Sequence, residues 1–336
     1  MAVTIRDVAA LAGVSRGTVD RVLHGRPNVH PLVRQKVLNA AKSLGYRQPA
    51  PREVRKRAAM LIPPWTDGYF NRLLDSGLRR AKRYIGDPSF VLDVQPLPNM
   101  TAQALLRAVD KQLAGGVDGL ILRPENTPEM REVIERAAGQ GVSVVTYDAD
   151  VPDSGRLCHV GQDLMRAGGI AAGIMAKLIR PPEHVLVVTG NMRLEAHKGR
   201  VDGFCRKLRT FGFGDDAYRI VEANEMNEVT SELVAQALTS DPRLRAIYMA
   251  TQPIAGCIAG IRRSGCGQWP HVICNDLTPS AKRYLLEGQI DFVIGQAFDQ
   301  EAFQAVLALY QMLVRGQKPG REVYYTDLSI LSREML

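Results

Sequence analysis

Apolar residues recur at helical spacing in three short segments at the start of the chain. Ile5, Val8, Ala9 and Ala12 fall on one face of a helix that Thr4 is suited to cap and Gly13 to end. Ser15 is placed to cap a second helix, Arg16 to Leu23, with Val19, Val22 and Leu23 inward and Gly25 as its stop. A third pattern, Pro31 to Leu44, offers Val33, Val37, Leu38 and Ala41 to the same small core, with proline in its first turn and Gly45 beyond its end. The tight Ala12-Gly13-Val14 link between the first two predicts a helix-turn-helix, in which the second helix projects from the first.

From Ala58 onward the pattern changes. Short apolar runs at 58 to 62, 90 to 94, 119 to 123, 142 to 147, 184 to 189, 218 to 223, 246 to 250, 271 to 275 and 292 to 295 alternate with amphipathic helical stretches. Runs without polar alternation are strands buried on both faces, so this is a βαβ series building parallel sheets. The series is too long for one open sheet and breaks near Asp150 to Asp163, which predicts two similar lobes. The expected organisation is an all-α headpiece at 1–48, a linker at 49–57, and an α/β domain at 58–336. Its lobes are expected at about 58–155 plus 290–320 and at about 160–289.

Charge sharpens this division. The chain carries a formal net charge of +8, yet residues 1–57 hold twelve Lys or Arg against three acids, while the other 279 residues hold 31 bases and 32 acids. Cations gathered on a small helical unit attract a polyanion through Coulomb forces and counterion release, so the headpiece is the expected contact for duplex DNA. With Val19 and Val22 inward, the second helix turns Arg16, Gly17, Asp20 and Arg21 outward, where they reach base edges, while Ser15 and Thr18 suit phosphate oxygens. Thr4, Arg6, His24, Asn28, His30 and Arg55 complete the expected DNA-contacting set. The N-terminus meets charge at Arg6 and Asp7 with no export-type apolar stretch, and no run of about 18 apolar residues predicts a membrane span, so a cytoplasmic protein is expected. Five cysteines without C-x-x-C pairing read as buried thiols, and no metal or cofactor is expected.

The stretch TIRDVAALAGVSRGTVDRVLHG resembles the headpiece of the LacI family of bacterial regulators, matching its pattern at Thr4, Asp7, Val8, Ala9, Ala12, Gly13, Val14, Ser15, Thr18, Val19, Arg21, Val22 and Leu23. Asp20 stands where that family usually has Ser, and His24 where it usually has Asn. The resemblance implies a hinge helix that wedges a leucine into the minor groove. Here Pro49 and Pro51 precede a short basic run, and Arg55 or Val54 occupies the leucine place, so an arginine reading a narrow minor groove is expected instead.

In open α/β sheets ligands bind beyond the carboxyl ends of strands, and two lobes make the cleft between them the natural pocket. Polar residues following strands are Arg123, Asp148, Asp150, Asn191, Arg193, Thr251, Gln252, Asp276 and Gln296. A polyhydroxyl ligand also wants an aromatic face, which Trp65, Tyr69 and Phe70 supply. VDGLILRP, GVSVVTYDADVP, HVGQDLMRAGGIAA, KGRVDGF and FVIGQ resemble the ribose-binding branch of the periplasmic sugar-binding proteins, which implies a sugar held by Asp148, Arg200, Asp276 and Gln296. The arginine usual after the first aspartate is Ala149, and the usual Asn-Asp is Thr251-Gln252. Arg123, Arg193 and Arg200 make a phosphorylated or acidic sugar an alternative, and control by a protein partner another. No P-loop, G-x-S-x-G, H-E-x-x-H or strand-linked G-x-G-x-x-G predicts an enzyme. The expectation is a homodimeric transcription regulator, most simply a repressor of sugar or polyol genes, on a pseudo-palindromic operator.

Overall fold

The computed structural model describes residues 3–23, 26–46, 55–65 and 68–336. His24 and most of the expected linker, 49–54, lie outside the described residues. The chain divides into two compact units, Met1–Val54 and Arg55–Leu336.

The first unit has three helices, α1 (Ile5–Ala12), α2 (Arg16–Leu23) and α3 (Pro31–Ser43). The Thr4 N–H donates to the Asp7 carboxylate at 2.8 Å, closing a capping box at the start of α1. Gly13 ends α1 with φ of 65°, a left-handed backbone that glycine adopts without a Cβ penalty. Ser15 Oγ accepts the Thr18 N–H at 3.2 Å at the start of α2. Val8, Val19 and Val37 are fully buried, with Ala9, Val22, Ala40 and Ala41 around them. Leu38, expected in this core, is instead 44% exposed. It lies about 100° round the helix from Val37, and Ala40 and Ala41, at i+3 and i+4, take the inward face.

The second unit begins with β1 (Lys56–Ile62), α4 (Tyr69–Ile85), β2 (Phe90–Pro96), α5 (Ala102–Ala114), β3 (Gly119–Leu122), α6 (Pro128–Gly139), β4 (Ser143–Tyr147) and β5 (Cys158–Gly161). It continues through α7 (Leu164–Leu178), β6 (His184–Thr189), α8 (Glu195–Arg209), β7 (Tyr218–Glu222), α9 (Asn227–Ser240), β8 (Leu244–Met249), α10 (Ile254–Ser264), β9 (His271–Asn275), α11 (Pro279–Leu286) and β10 (Phe292–Gln296). It closes with α12 (Phe298–Arg315), β11 (Val323–Tyr325) and β12 (Leu328–Leu331). Two six-stranded sheets result, ordered β11-β5-β4-β3-β1-β2 and β12-β10-β9-β8-β6-β7. Inner strands such as β3 and β6 are buried along their whole length, and the edge strand β2 is not. Every pairing is parallel except β10 with β12, which are joined antiparallel.

The chain passes between the lobes three times, between β5 and α7, between β10 and α12, and between β11 and β12. Two expectations need correction here. Residues 290–296 were assigned to the first lobe, but β10 pairs with β9 in the second sheet, and the return crossing comes at Ala297. The first lobe also runs past 155, because β5 is hydrogen-bonded to β4 and β11. α12 then packs its Phe298, Ala302, Ala305, Val306 and Leu309 into the first lobe's core.

α7 and α8 cross in backbone contact. A Cβ on Gly168 would overlap the Arg200 carbonyl, and one on Gly203 would overlap that of Met165. The Gly168→Ala substitution should therefore destabilise this unit by about 2–3 kcal/mol, lowering the melting temperature by on the order of 5 °C; an unchanged melt would show that the helices separate freely.

Candidate functional site

On α2, Arg16, Gly17 and Arg21 are exposed while Val19 and Val22 are buried, so the polar residues lie on the face away from the core. The Ser15 and Thr18 hydroxyls pair at 3.0 Å. Asp20 is not a bare outward charge, since Arg26 Nη1 lies 3.6 Å from its Oδ2. His30 caps α3, its Nδ1 accepting the Leu32 N–H at 3.3 Å, and Asn28 occupies a left-handed turn position with φ of 67°. Thr4, Arg6 and Arg55 are exposed.

In the second unit, strand ends of both lobes bring a polar network together. Asp148 directly follows β4 and Asp276 directly follows β9; both take left-handed backbone, φ 58° and 65°. For residues with a Cβ this conformation is sparsely populated, and aspartate tolerates it better than most. Arg123 Nε donates to Asp148 Oδ2. Gln296 Nε2 donates to Asp148 Oδ1 at 3.0 Å, and its Oε1 accepts from Arg200 Nη2 at 3.1 Å. Only that amide orientation offers a donor to the carboxylate and an acceptor to the guanidinium. Arg200 Nη1 lies 3.7 Å from Asp276 Oδ2. Burial works to raise the Asp148 carboxyl, but the charge and hydrogen bond of Arg123, with Gln296 and Arg200, hold it below its ordinary value.

Three further polar groups of this unit were not legible along the chain. Gln162, immediately after β5, accepts from Arg200 Nε at 3.2 Å and Nη2 at 2.9 Å. The polar-residue-after-strand rule finds it once β5 is recognised. Glu301 lies fully buried on α12, taking a hydrogen bond from Thr326 Oγ1 at 3.3 Å. Its signal is a charged residue on an otherwise apolar helical stripe. Burial pushes its carboxyl well above the ordinary value, and Asp148 adds to this. Glu225 is the third: Thr251 Oγ1 donates to its Oε1 at 3.1 Å, and His197 Nε2 lies 3.2 Å away. Buried atoms without a hydrogen-bond partner among the described residues include the Tyr147 hydroxyl, Gln162 Nε2 and Glu301 Oε2.

A cavity of about 650 Å³ opens between the lobes, lined by Trp65 and Phe70 on one side and Glu225, Gln252 and Thr278 on the other. Trp65 meets Phe298 edge-on at 5.6 Å, Phe70 meets the same ring at 5.1 Å, and Tyr69 packs edge-on against Phe70. The structure does not bring every candidate here. Asp150 turns away from the cleft network to Arg156, whose Nε and Nη2 reach its two oxygens at 2.6 and 2.7 Å, and it also accepts from Thr146. Asn191 closes a turn by accepting the Arg193 N–H at 2.9 Å, and Arg193 is exposed.

Among the described residues no helix is long and apolar enough to cross a membrane, and no group of three or more His, Cys, Asp or Glu is placed for a metal ion. Four of the five cysteines are buried and Cys266 is half-buried; burial pushes the Cys158 and Cys205 thiols up to about 11.

The Glu301 carboxyl fixes a pH dependence. Its folded-state value lies above the unfolded one, so the folded chain binds the proton more tightly and stability falls as pH rises from the ordinary glutamate value toward the raised one. Relative to Glu301→Gln, the wild type should lose about 1.4 kcal/mol per pH unit across that window. Urea melts at several pH values test this, and parallel stability curves for the two chains would refute it.

Comparison with known proteins places this geometry. Residues 4–48 match the bacterial regulatory proteins of the lacI family, and residues 58–318 match the periplasmic binding protein domain. Catabolite control protein A of Priestia megaterium is 28% identical over 278 residues, covering 79% of each chain. The ribose import binding protein RbsB of Escherichia coli is 21% identical over 277 residues, 82% of this chain and 90% of that one. The crystal structure of GanP, a glucose-galactose binding protein from Geobacillus stearothermophilus, superposes with a TM-score of 0.73 at 25% identity, over 84% of this chain and 99% of that one. These relatives are regulators and binding proteins. The chain thus belongs to the periplasmic binding protein domain family over residues 58–318 and, with a lacI-family helix-turn-helix unit at 4–48, is a DNA-binding transcription regulator.

Proposed function

We propose that the chain is a cytoplasmic repressor of sugar or polyol genes, whose operator affinity is set by a polyhydroxyl effector bound between the lobes. The observation that carries this reading is the run Arg123, Asp148, Gln296, Arg200, Asp276. It joins two strand ends of the first lobe to a helix and two strand ends of the second. Alternating carboxylate, amide and guanidinium groups are what neighbouring hydroxyls need, each being both donor and acceptor. The unpartnered Tyr147 hydroxyl, Gln162 Nε2 and Glu301 Oε2 offer further partners. An effector engaging both lobes at once favours one lobe arrangement, and by that preference shifts the DNA-binding equilibrium. Nothing in this scheme requires bond chemistry or a cofactor.

DNA is read by α2, with Arg21 and Arg16 to base edges, and Ser15 and Thr18 to phosphates. Two chains pair through the second unit, supplying two headpieces to a pseudo-palindromic site. An apolar depression of about 610 Å³ lined by Leu78, Ile85, Phe90, Val91 and Val94, beside the edge strand β2, supports that pairing face.

The two halves of the proposal separate by mutation. Arg21→Ala should weaken specific operator binding by about 1–3 kcal/mol while leaving effector affinity intact. Asp148→Asn should keep operator binding and lose the effector response, because Gln296 and Arg123 lose the charge they hold. Mobility-shift titrations with calorimetry decide both. Undiminished operator affinity in Arg21→Ala would refute the reading of α2. For the pairing face, Val91→Asp should yield a monomer in sedimentation runs, and a persisting dimer would exclude that face.

A further inference from the structure

The cleft holds a carboxylate beyond those of the Asp148 and Asp276 pairs. Asp148 is answered by Arg123 and Asp276 by Arg200, and burial raises the Glu301 carboxyl well above its ordinary value. Glu225 is left, a cavity-lining carboxylate with its side chain 53% exposed, hydrogen-bonded by Thr251 and His197 and attracted by the charge of Arg123. His197 Nδ1 accepts the Asn191 N–H at 2.9 Å, so Nε2 carries a ring proton and donates to Glu225. The Asn191 carbonyl, 3.2 Å from the same nitrogen, is the weaker claimant, because a backbone N–H has no role except donation.

This carboxylate is built into place. Asn224 and Glu225 both take left-handed backbone, with φ of 48° and 58°, which turns the loop after β7 back toward the cleft. A Cβ at Gly190 would overlap the His197 ring and come within 3.0 Å of Glu225 Cγ, so only glycine leaves room for the pair. Thr251 and His197 fix Oε1, and Oε2 has no protein partner among the described residues. The hydrogen bond from His197 is the main reason its carboxyl sits below the ordinary value, ahead of the opposing effect of burial. Trp65 and Phe70 form the other wall of the same cavity. A carboxylate facing an electron-rich indole is an arrangement that selects ammonium groups, by charge and by attraction to the ring face.

We infer that the effector is a polyol bearing a protonated amine, its ammonium taken by Glu225 and Trp65 and its hydroxyls by the Asp148, Gln296, Arg200 and Asp276 network. The inference rests on the proposed reading of the cleft as an effector site. It runs against a phosphorylated or acidic sugar, whose charge would meet Glu225 while Arg123 and Arg200 are already engaged by carboxylates.

The test is calorimetry on the purified full-length chain with four ligands of one size class: a 2-amino-2-deoxyhexose, its N-acetyl derivative, the parent neutral hexose and the hexose 6-phosphate. The amine should bind at least about tenfold more tightly than the other three. Glu225→Gln keeps an acceptor for His197 and should preserve the melting temperature and operator binding, while reducing amine affinity by about tenfold or more. Equal or tighter binding of the neutral or phosphorylated sugar, or an amine affinity untouched by Glu225→Gln, overturns the inference and leaves the polyol reading standing. Binding of none of the four overturns the inference, and if Asp148→Asn also leaves the effector response of the operator complex unchanged, the cleft reading falls with it.

Discussion

A carboxylate taken out of water between two protein lobes must have its charge answered, and the arrangement around Asp148 follows from that requirement. Arg123 answers it from within the same lobe, and Gln296 from the end of strand β10 in the other. Once Gln296 is turned to donate to Asp148, its oxygen faces Arg200, and Arg200 in turn is positioned by Gln162 and Asp276. Breaking one partner of a buried charged pair costs far more than an exposed pair contributes, so the whole run is effectively one object. The left-handed backbone at Asp148 and Asp276 is what lets strand ends of different lobes aim at the same place.

Much of this was legible along the chain, for identifiable reasons. The inner strands were, because burial on both faces leaves uninterrupted apolar runs such as GLIL and HVLVVT. The edge strands β11 and β12 were not, since half-exposed three- and four-residue segments carry mixed sequence. β5 is fully buried but only four residues long and contains His159, and losing it also lost Gln162. Asp150 shows a different limit. The rule that polar residues after strands face a ligand selects Asp148 and Asp150 alike, but side-chain direction is settled by partners, and Arg156 claims the second. Leu38 was misplaced because one residue of helical phase separates a core position from an exposed one.

Charge and function divide along the same line. Most of the surplus positive charge of the first 57 residues belongs to a unit whose core is a handful of small aliphatic side chains, too few for a cavity, so its chemistry lies on its surface. The second unit is close to neutral overall and places its charges in internal pairs, where they shape a pocket and contribute little to long-range attraction.

Thr326 adds one more consequence. From the third crossing segment, its N–H donates to the Gly161 carbonyl at the edge of the first at 2.9 Å, and its hydroxyl, with one proton to give, lies 3.4 Å from that carbonyl and 3.3 Å from Glu301 just beyond the second. Three separate tethers would permit the lobes to swivel as well as to bend. Laced at one point, they cross as a group, and a shared crossing point favours hinge-like opening of the cleft over independent swivelling of the lobes.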